Sequence, residues 1–260
     1  MPFSIEVTPQ AEITGLPRGL REVSVTFLPG SHYQAVVAQS VRLRAQNFDP
    51  IPHIPARSLR SRAELADFVA QLRERANVRQ ALLIGGSHIE PLGPYATALD
   101  LLETGLFDGL RIGVAGHPEG MPQLTEAACD RVLALKNEYA RSTDTDMFVM
   151  TQWSLDAGAI ATWLDRIDAF NTLPIYLGIP GPTTPAGLLK FAKICGVKTS
   201  LLGLRHQSGR LGQLLAVQTP DHLVDALSHR IDNFHIFTFG GIRRTRDWLS
   251  TRQLKALTRT

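Results

Sequence analysis

Eight short apolar runs alternate with amphipathic runs along this chain of 260 residues. Each apolar run is bounded by glycine, proline or polar residues, a pattern typical of buried β-strands. The runs span residues 3–9, 22–29, 51–56, 81–86, 111–118, 147–152, 174–181 and 233–240. Nearly continuous apolar strands separated by helices predict a parallel sheet covered by helices. Eight such units favour closure into a (β/α)8 barrel over an open doubly wound sheet.

The intervening segments have helical periodicity. The clearest helix follows Ser61, because Ser61 and Glu64 have the spacing of a capping box. Apolar residues then recur at i, i+3, i+4 and i+7, namely Leu65, Phe68, Val69 and Leu72. Further helices are expected over residues 31–47, 93–104, 123–141, 156–168, 185–194, 209–229 and 243–257. The alternation continues throughout, so we expect residues 1–260 to form one barrel domain.

Length and composition limit the class of protein. The chain has close to the roughly 250 residues typical of this barrel, and 44% hydrophobic and 20% charged residues. No run reaches the ~20 apolar residues that span a membrane, and a net charge of +3 gives little reason to expect nucleic acid. The start of the chain has no leader-like pattern, which predicts a cytoplasmic protein. A homo-oligomer is compatible with these features.

Polar residues occur at the ends of several predicted strands, where a barrel of this kind builds its active site. Glu6 lies within the first strand, where a carboxylate is costly to bury. It is either a structural carboxylate paired with an arginine or lysine inside the barrel, or a general acid whose pKa burial raises. His53 is a further candidate, although a lone histidine is more often structural. Gly85 and Gly86 permit close backbone approach to a ligand.

Spacings typical of several other chemistries are absent from the sequence. Cys129 and Cys195 lie in apolar helical stretches without a metal-ligand spacing, so we expect buried thiols and no metal. The chain also lacks the HExxH pattern of zinc hydrolases and the GxSxG elbow of serine hydrolases. These absences disfavour metal-assisted and serine hydrolysis.

The strand ends together resemble the methylenetetrahydrofolate reductases, which are (β/α)8 barrels. The matching segments follow in order from one end of the chain to the other. They are Ile5-Glu6-Val7-Thr8-Pro9, Val23-Ser24-Val25-Thr26, Pro52-His53, Ala115-Gly116-His117-Pro118-Glu119, Thr151-Gln152 with Asp156, Pro174-Ile175 with Gly178-Ile179, Lys190-Phe191-Ala192 with Cys195-Gly196-Val197, and Phe234-His235-Ile236-Phe237-Thr238. The resemblance implies NAD(P)H-dependent interconversion of 5,10-methylenetetrahydrofolate and 5-methyltetrahydrofolate, ordinarily relayed by FAD.

The resemblance assigns roles to individual residues. Glu6 matches the family's acid, which protonates N10 of the folate and opens its five-membered ring. Gln152 matches an amide that hydrogen-bonds the pterin, and Ser87, Phe237 and Thr8 are further candidates for contacts with the folate. Seven residues fall at positions that line or approach the flavin: Thr26, His53, Gly86, Ala115, His117, Asp130 and Lys136.

Several flavin-side positions depart from the family pattern. Ser87 stands where the family has an aspartate beside the flavin, His117 replaces a tyrosine, and Leu133 replaces an asparagine. Either other groups hold FAD, or NAD(P)H passes its hydride directly to the folate. In the second case the protein would resemble some short actinobacterial members of the family. Two alternatives from other classes are a pterin-dependent methyltransferase barrel and a non-catalytic barrel that binds folate or flavin.

Overall fold

The computed structural model describes residues 3–17, 19–121, 124–195 and 217–257. Eight parallel strands pair in sequence order, and the first strand pairs with the last to close the barrel. The strands are β1 (Phe3–Val7), β2 (Glu22–Val25), β3 (Asp49–Pro55), β4 (Gln80–Ile84), β5 (Arg111–Gly116), β6 (Met147–Thr151), β7 (Ile175–Pro180) and β8 (Asn233–Phe237). All eight predicted strands and the predicted closed barrel are confirmed.

Helices follow the strands in the described parts of the chain. They are α1 (Tyr33–Ala45), α2 (Arg62–Ala76), α3 (Ala98–Leu102), α4 (Glu126–Thr143), α5 (Ala157–Ile167), α6 (Pro185–Cys195), α7 (Asp221–Leu227) and α8 (Ile242–Leu257), and a single 3₁₀ turn covers Ala56–Ser58. The helix predicted over 209–229 is seen only as α7, since residues 196–216 lie outside the described residues. No helix in the described ranges has the length and apolar character needed to cross a membrane.

The start of α2 shows how the sequence sets a helix boundary. The Ser61 hydroxyl accepts a hydrogen bond from the Glu64 N–H at 3.1 Å, and Glu64 accepts one from the Arg60 N–H at 2.6 Å. The predicted cap is therefore present, with the return bond made one residue earlier than in the usual capping box. The four apolar residues predicted on the inner face of α2 are all buried.

The two faces of each strand have different roles. Outward residues such as Ile5, Val23 and Ile236 belong to the main hydrophobic cluster between strands and helices. Inward residues form a smaller apolar cluster inside the barrel: Ile51, Leu82, Phe148, Met150 and Tyr176. Because side chains alternate along a strand, β1 places Ser4 and Glu6 on the inner face and Ile5 and Val7 on the outer one.

A polar group closes the barrel at the amino ends of the strands. Arg111 donates to the Tyr176 hydroxyl at 3.1 Å and lies 3.7 Å from Glu22. Its guanidinium also sits 4.6 Å from the centre of the Phe148 ring, which is cation–π distance. Gln80 donates to Glu22 at 3.2 Å. These contacts fill the end of the barrel opposite the one where active sites of this fold form, and we assign them to stability.

Gly178 makes the closest approach between β6 and β7. A Cβ on this residue would lie 2.4 Å from the Thr151 carbonyl oxygen and 2.9 Å from the Gln152 carbonyl carbon, both backbone atoms that cannot rotate away. The Gly178 N–H also donates to the Thr151 hydroxyl at 2.8 Å. The two strands therefore need a residue without a side chain at this point.

We expect Gly178→Ala to destabilise the protein by about 1–3 kcal/mol, the range for overpacking a tight interior. For a chain of this size the melting temperature falls by roughly 2–4 °C per kcal/mol, which thermal unfolding followed by circular dichroism can measure. Gly85→Ala is the control, because its nearest neighbour is 3.9 Å from the added Cβ. Equal melting temperatures for the two variants would contradict this account of the β6–β7 contact.

Candidate functional site

Glu6 lies on the inner face of β1 near the carboxyl end of the barrel, which we call the mouth. It is partly buried, with its side chain 16% exposed. Oε2 lies 3.5 Å from Nε2 of His53 on β3 and 3.8 Å from Nε2 of His235 on β8. The Glu6 carbonyl accepts a hydrogen bond from the Thr238 hydroxyl at 2.7 Å, which ties β1 to the end of β8. One carboxylate oxygen thus faces two imidazoles.

His235 is held rigidly beside Glu6. Its side chain has no exposed surface, and Nδ1 lies 2.9 Å from the Ser4 hydroxyl. Ser4 and His235 are directly paired in the β1–β8 register, so the backbone itself brings them together. If the serine hydroxyl donates to Nδ1, the proton of the neutral ring is on Nε2 and points toward Glu6.

His53 completes the group from the other side. Its side chain is 7% exposed, and Nε2 is a fully buried atom without a hydrogen-bond partner, as is Nε2 of His235. Separations of 3.5 and 3.8 Å exceed hydrogen-bond length, so both imidazoles interact with the Glu6 carboxylate electrostatically and without a hydrogen bond. Buried polar atoms rarely lack partners, and here both unpartnered nitrogens face the same carboxylate.

The environment sets the protonation states of this group. Burial raises the pKa of Glu6, and the nearby imidazoles of His235 and His53 lower it. Their combined effect is the larger, so the pKa lies below its ordinary value. Burial lowers the pKa of His53 to about 4, despite the opposing effect of Glu6. At neutral pH this favours an ionised Glu6 beside a neutral His53. The expectation that burial gives Glu6 a raised pKa is therefore wrong, because the two histidines outweigh burial.

The candidate folate residues Gln152 and Phe237 lie on the β6–β8 side of the mouth. The Gln152 side-chain oxygen accepts a hydrogen bond from the Trp153 backbone N–H at 3.0 Å. The Gln152 backbone N–H donates to the Gly116 carbonyl at 2.9 Å. Phe237 lies 5.5 Å from Phe239 and 5.2 Å from the His235 ring. The Trp153 indole N–H is buried without a partner in the described structure.

An aromatic wall surrounds these two residues. Trp153 contacts Phe239 edge-on at 5.2 Å, and Phe191 of α6 stacks on Phe239 at 4.1 Å. Phe191, Phe237 and Phe239 are all partly exposed. Half-exposed rings beside a side-chain amide suit a flat, polar-edged ligand. Thr8 and Ser87, the other candidate folate residues, are exposed on loops after β1 and β4.

Five of the seven flavin-side residues occupy neighbouring strand ends. Thr26 follows β2, His53 is on β3, Gly86 follows β4, and Ala115 and His117 are at and after the end of β5. Gly86 has a φ of +91°, and a Cβ there would lie 2.9 Å from Cβ of Pro55. Burial and the charge of Lys136 lower the pKa of His117 to about 4. These five residues line one arc of the mouth.

The other two flavin-side residues lie on α4 and are occupied by partners within the protein. Asp130 accepts from Arg166 of α5 at 2.9 Å. Lys136 is buried, and its Nζ donates to the Ala115 carbonyl at 2.8 Å. Burial lowers the pKa of this lysine to about 8. Arg57, a further cation of the same arc, donates to the carbonyls of Ala96 and His88 at 2.9 and 3.3 Å.

These contacts test whether the residues fit FAD. The diphosphate of a tightly held flavin needs cations or free backbone donors. In the described structure Lys136 and Arg57 each donate to backbone carbonyl groups of the protein, and Asp130 is paired with Arg166. The arc therefore does not fit FAD held by the anchors that the resemblance implies.

Sequence reasoning missed Ser4 as a site residue and gave His235 no role. Both sit on the inner face of a strand, in an alternating pattern with apolar outer residues. A search for polar residues two apart, such as Ser4 with Glu6, would have found the pair. Cys129 is a buried free thiol, as expected, while the Cys195 side chain lies outside the described residues. No metal-holding group of His, Cys, Asp or Glu occurs among the described residues.

The closed barrel with its polar mouth defines the class of protein: a (β/α)8-barrel protein with a buried acid at the carboxyl ends of the strands. No protein-family model matches the chain. Oxaloacetate acetylhydrolase with oxalate superposes with a TM-score of 0.53 at 10% identity, covering 100% of this chain and 82% of that chain.

Two pterin enzymes share the same fold. Dihydropteroate synthase from Xanthomonas albilineans, in complex with 7,8-dihydropteroate, gives a TM-score of 0.51 at 12% identity over 98% of this chain and 92% of its own. The Burkholderia cenocepacia dihydropteroate synthase gives 0.50 at 15% identity over 99% and 92%. At such identities these similarities establish the fold alone.

The low pKa of His53 predicts how stability depends on pH. The unfolded chain binds a proton at this histidine near pH 6.5, whereas the folded protein does so only near pH 4. Stability is therefore lost as the pH falls through this window. At about 1.4 kcal/mol per pH unit the difference corresponds to roughly 3 kcal/mol. In urea unfolding at pH 7, 5.5 and 4.5, the free energy of unfolding should fall less steeply with pH for His53→Asn than for the parent protein. The same pH dependence in both proteins would refute the assignment.

Proposed function

We propose that this protein interconverts 5,10-methylenetetrahydrofolate and 5-methyltetrahydrofolate, with NAD(P)H as the hydride donor. The observation that carries the proposal is the partly buried Glu6 carboxyl group, held at the mouth between two imidazoles and opposite an amide and an aromatic wall. The order of motifs that resembles the methylenetetrahydrofolate reductases supports it. The fold is also one in which the dihydropteroate synthases bind a pterin compound.

In the proposed reaction Glu6 is the acid. Because it is ionised in the free protein at neutral pH, it takes up its proton from solvent as the folate binds and displaces water from the mouth, which disfavours the charged form. Its carboxyl O–H donates a proton to N10 of the folate, and the bond from N10 to the methylene carbon breaks with its electron pair left on N10. The N5 lone pair then forms a double bond to that carbon, giving a 5-iminium cation. A hydride added to the carbon completes the methyl group. Proton donation by a positioned side chain typically contributes 10²–10⁴-fold to a rate.

The aromatic wall and Gln152 supply the binding surface for the pterin. A side-chain amide presents both a donor and an acceptor, which matches the mixed edge of a pterin ring. The side-chain N–H groups of Gln152 make no hydrogen bond in the described structure and are available for this role. Phe237 is next to Glu6 in the β1–β8 register, so a ring packed against it lies beside the acid.

NAD(P)H fits the opposite arc as a co-substrate that binds and leaves. A resident flavin needs strong anchoring of its diphosphate, whereas a co-substrate with a dissociation constant in the micromolar to millimolar range needs far less. We therefore assign the arc formed by Thr26, Ala115 and His117 to the dihydronicotinamide donor. Ser87 carries no charge at the edge of this arc, so it offers a hydroxyl rather than a carboxylate to either reactant.

The acid role of Glu6 predicts the effect of one substitution. Glu6→Gln keeps the shape of the side chain but has no proton to donate at neutral pH, so kcat should fall by about 10²–10⁴-fold. The measurement is NADH and NADPH oxidation with 5,10-methylenetetrahydrofolate. Glu12→Gln, on the exposed loop after the same strand, is the matched control and should retain the parental rate. A parental rate in Glu6→Gln would remove Glu6 from the mechanism.

Among the described residues, the flavin-side anchors Asp130 and Lys136 have partners within the protein, and this predicts the visible spectrum. Freshly purified protein should show no visible flavin band, and added FAD should leave the rate of folate-dependent NAD(P)H oxidation unchanged. A flavin band that NADH bleaches and methylenetetrahydrofolate restores would replace direct transfer with a flavin relay. Transfer of the methyl group to another acceptor without NAD(P)H consumption would instead favour a methyltransferase, and folate binding without turnover a binding protein.

A further inference from the structure

We propose that His53 and His235 are positioning residues that make Glu6 both the acid and the counter-charge of the cation it creates. This inference rests on the proposed function for its chemistry. It extends that function, because it assigns a role to the carboxylate after the proton has left.

The first step is geometric. Both imidazoles make their closest approach to the same oxygen of Glu6, from strands on either side of β1 in the barrel interior. His235 is fixed by Ser4, and β3 carries His53 in a regular ladder position opposite Leu82 of β4. Neither Nε2 has another partner within the described residues. Both nitrogens therefore face the Glu6 carboxylate, and no other polar group of the described residues is bonded to them.

The second step concerns charge. Donors that face an oxygen stabilise it more when it is ionised than when it is protonated. The lowered pKa of Glu6 agrees with this, and burial lowers the pKa of His53 so that this ring stays neutral near pH 7. The charged or titratable groups that act on His53 are Glu6 from β1 and His235 from β8. Once the proton has left, the negative charge lies on the Glu6 carboxylate, between the two imidazoles.

The third step links this charge to the reaction. When Glu6 gives its proton to N10, a carboxylate forms at the same moment as the 5-iminium cation. Opposite charges that appear together in a poorly solvated site stabilise one another more strongly than they would in water. Among the described residues on the inner faces of the strands near the mouth, Glu6 is the carboxylate available for this. After the product leaves, Glu6 takes up its next proton from solvent as another folate binds.

The pairing can be tested without any reaction. In protein labelled with ¹³C at glutamate side chains, the carboxyl pKa of Glu6 should rise in His53→Leu and in His235→Leu, as followed by NMR. His53→Gln, which keeps an N–H near the position of Nε2, should restore a lower pKa and serves if the leucine variants fold poorly. His222→Leu, on the exposed surface of α7, is the control for loss of a histidine. An unchanged Glu6 pKa in His53→Leu would overturn the proposal.

Turnover then tests the counter-charge. In steady-state reduction of methylenetetrahydrofolate by NADH, His53→Leu should lower kcat by about ten- to a hundredfold with little change in KM, the size typical of a lost polar interaction with a charged group. His53→Gln should recover part of this loss. Equal rates for the Leu and Gln variants would mean that His53 serves only as packing, and would overturn the proposal. If the parent protein is inactive but the Glu6 pKa still rises in His53→Leu, the proposed function fails and the pairing stands.

Discussion

A carboxylate inside the mouth of a barrel loses hydration, and other groups must stabilise its charge instead. The arrangement of this site follows from the groups that stabilise Glu6. An ionised carboxylate loses several kcal/mol of hydration on burial unless donors replace the lost water. Here the compensation comes from two imidazoles on β3 and β8 rather than from an arginine or lysine. A cation at this place would hold Glu6 in a permanent ion pair. The two imidazoles stabilise the charge of Glu6 and still allow its carboxylate to be protonated and deprotonated.

The barrel supplies the precision that this compensation needs. Ser4, Glu6, His53 and His235 all project from strands whose register is fixed by backbone hydrogen bonds. Their outer neighbours pack into the main hydrophobic cluster, so shifting β1 by one residue would bury Glu6 among the helices and expose Ile5 to the barrel interior. The large cost of that exchange fixes the site as firmly as it fixes the fold. Stability and site geometry thus rest on the same alternation.

The sequence was sufficient for the architecture because that architecture depends on periodicity. Runs such as 147–152 and 174–181 are apolar on both faces, and only a covered parallel sheet accommodates eight of them. Glu6 was also detectable, because a carboxylate in an apolar run violates the pattern. The sign of its pKa shift was not, because the shift depends on two histidines that are 47 and 229 residues away along the chain and meet only after barrel closure.

The cofactor side shows a different limit of sequence reasoning. Asp130 and Lys136 have residue types suited to a nucleotide, and their positions match a flavin-binding pattern, yet both have partners within the protein. Arg166 of α5 pairs with Asp130 of α4, and Lys136 donates to the Ala115 carbonyl of β5. A side chain oriented by such a partner is not positioned by its residue type alone for contact with a nucleotide. Residue type and position along the chain therefore predict a ligand contact only when the neighbouring helices leave the donor unoccupied.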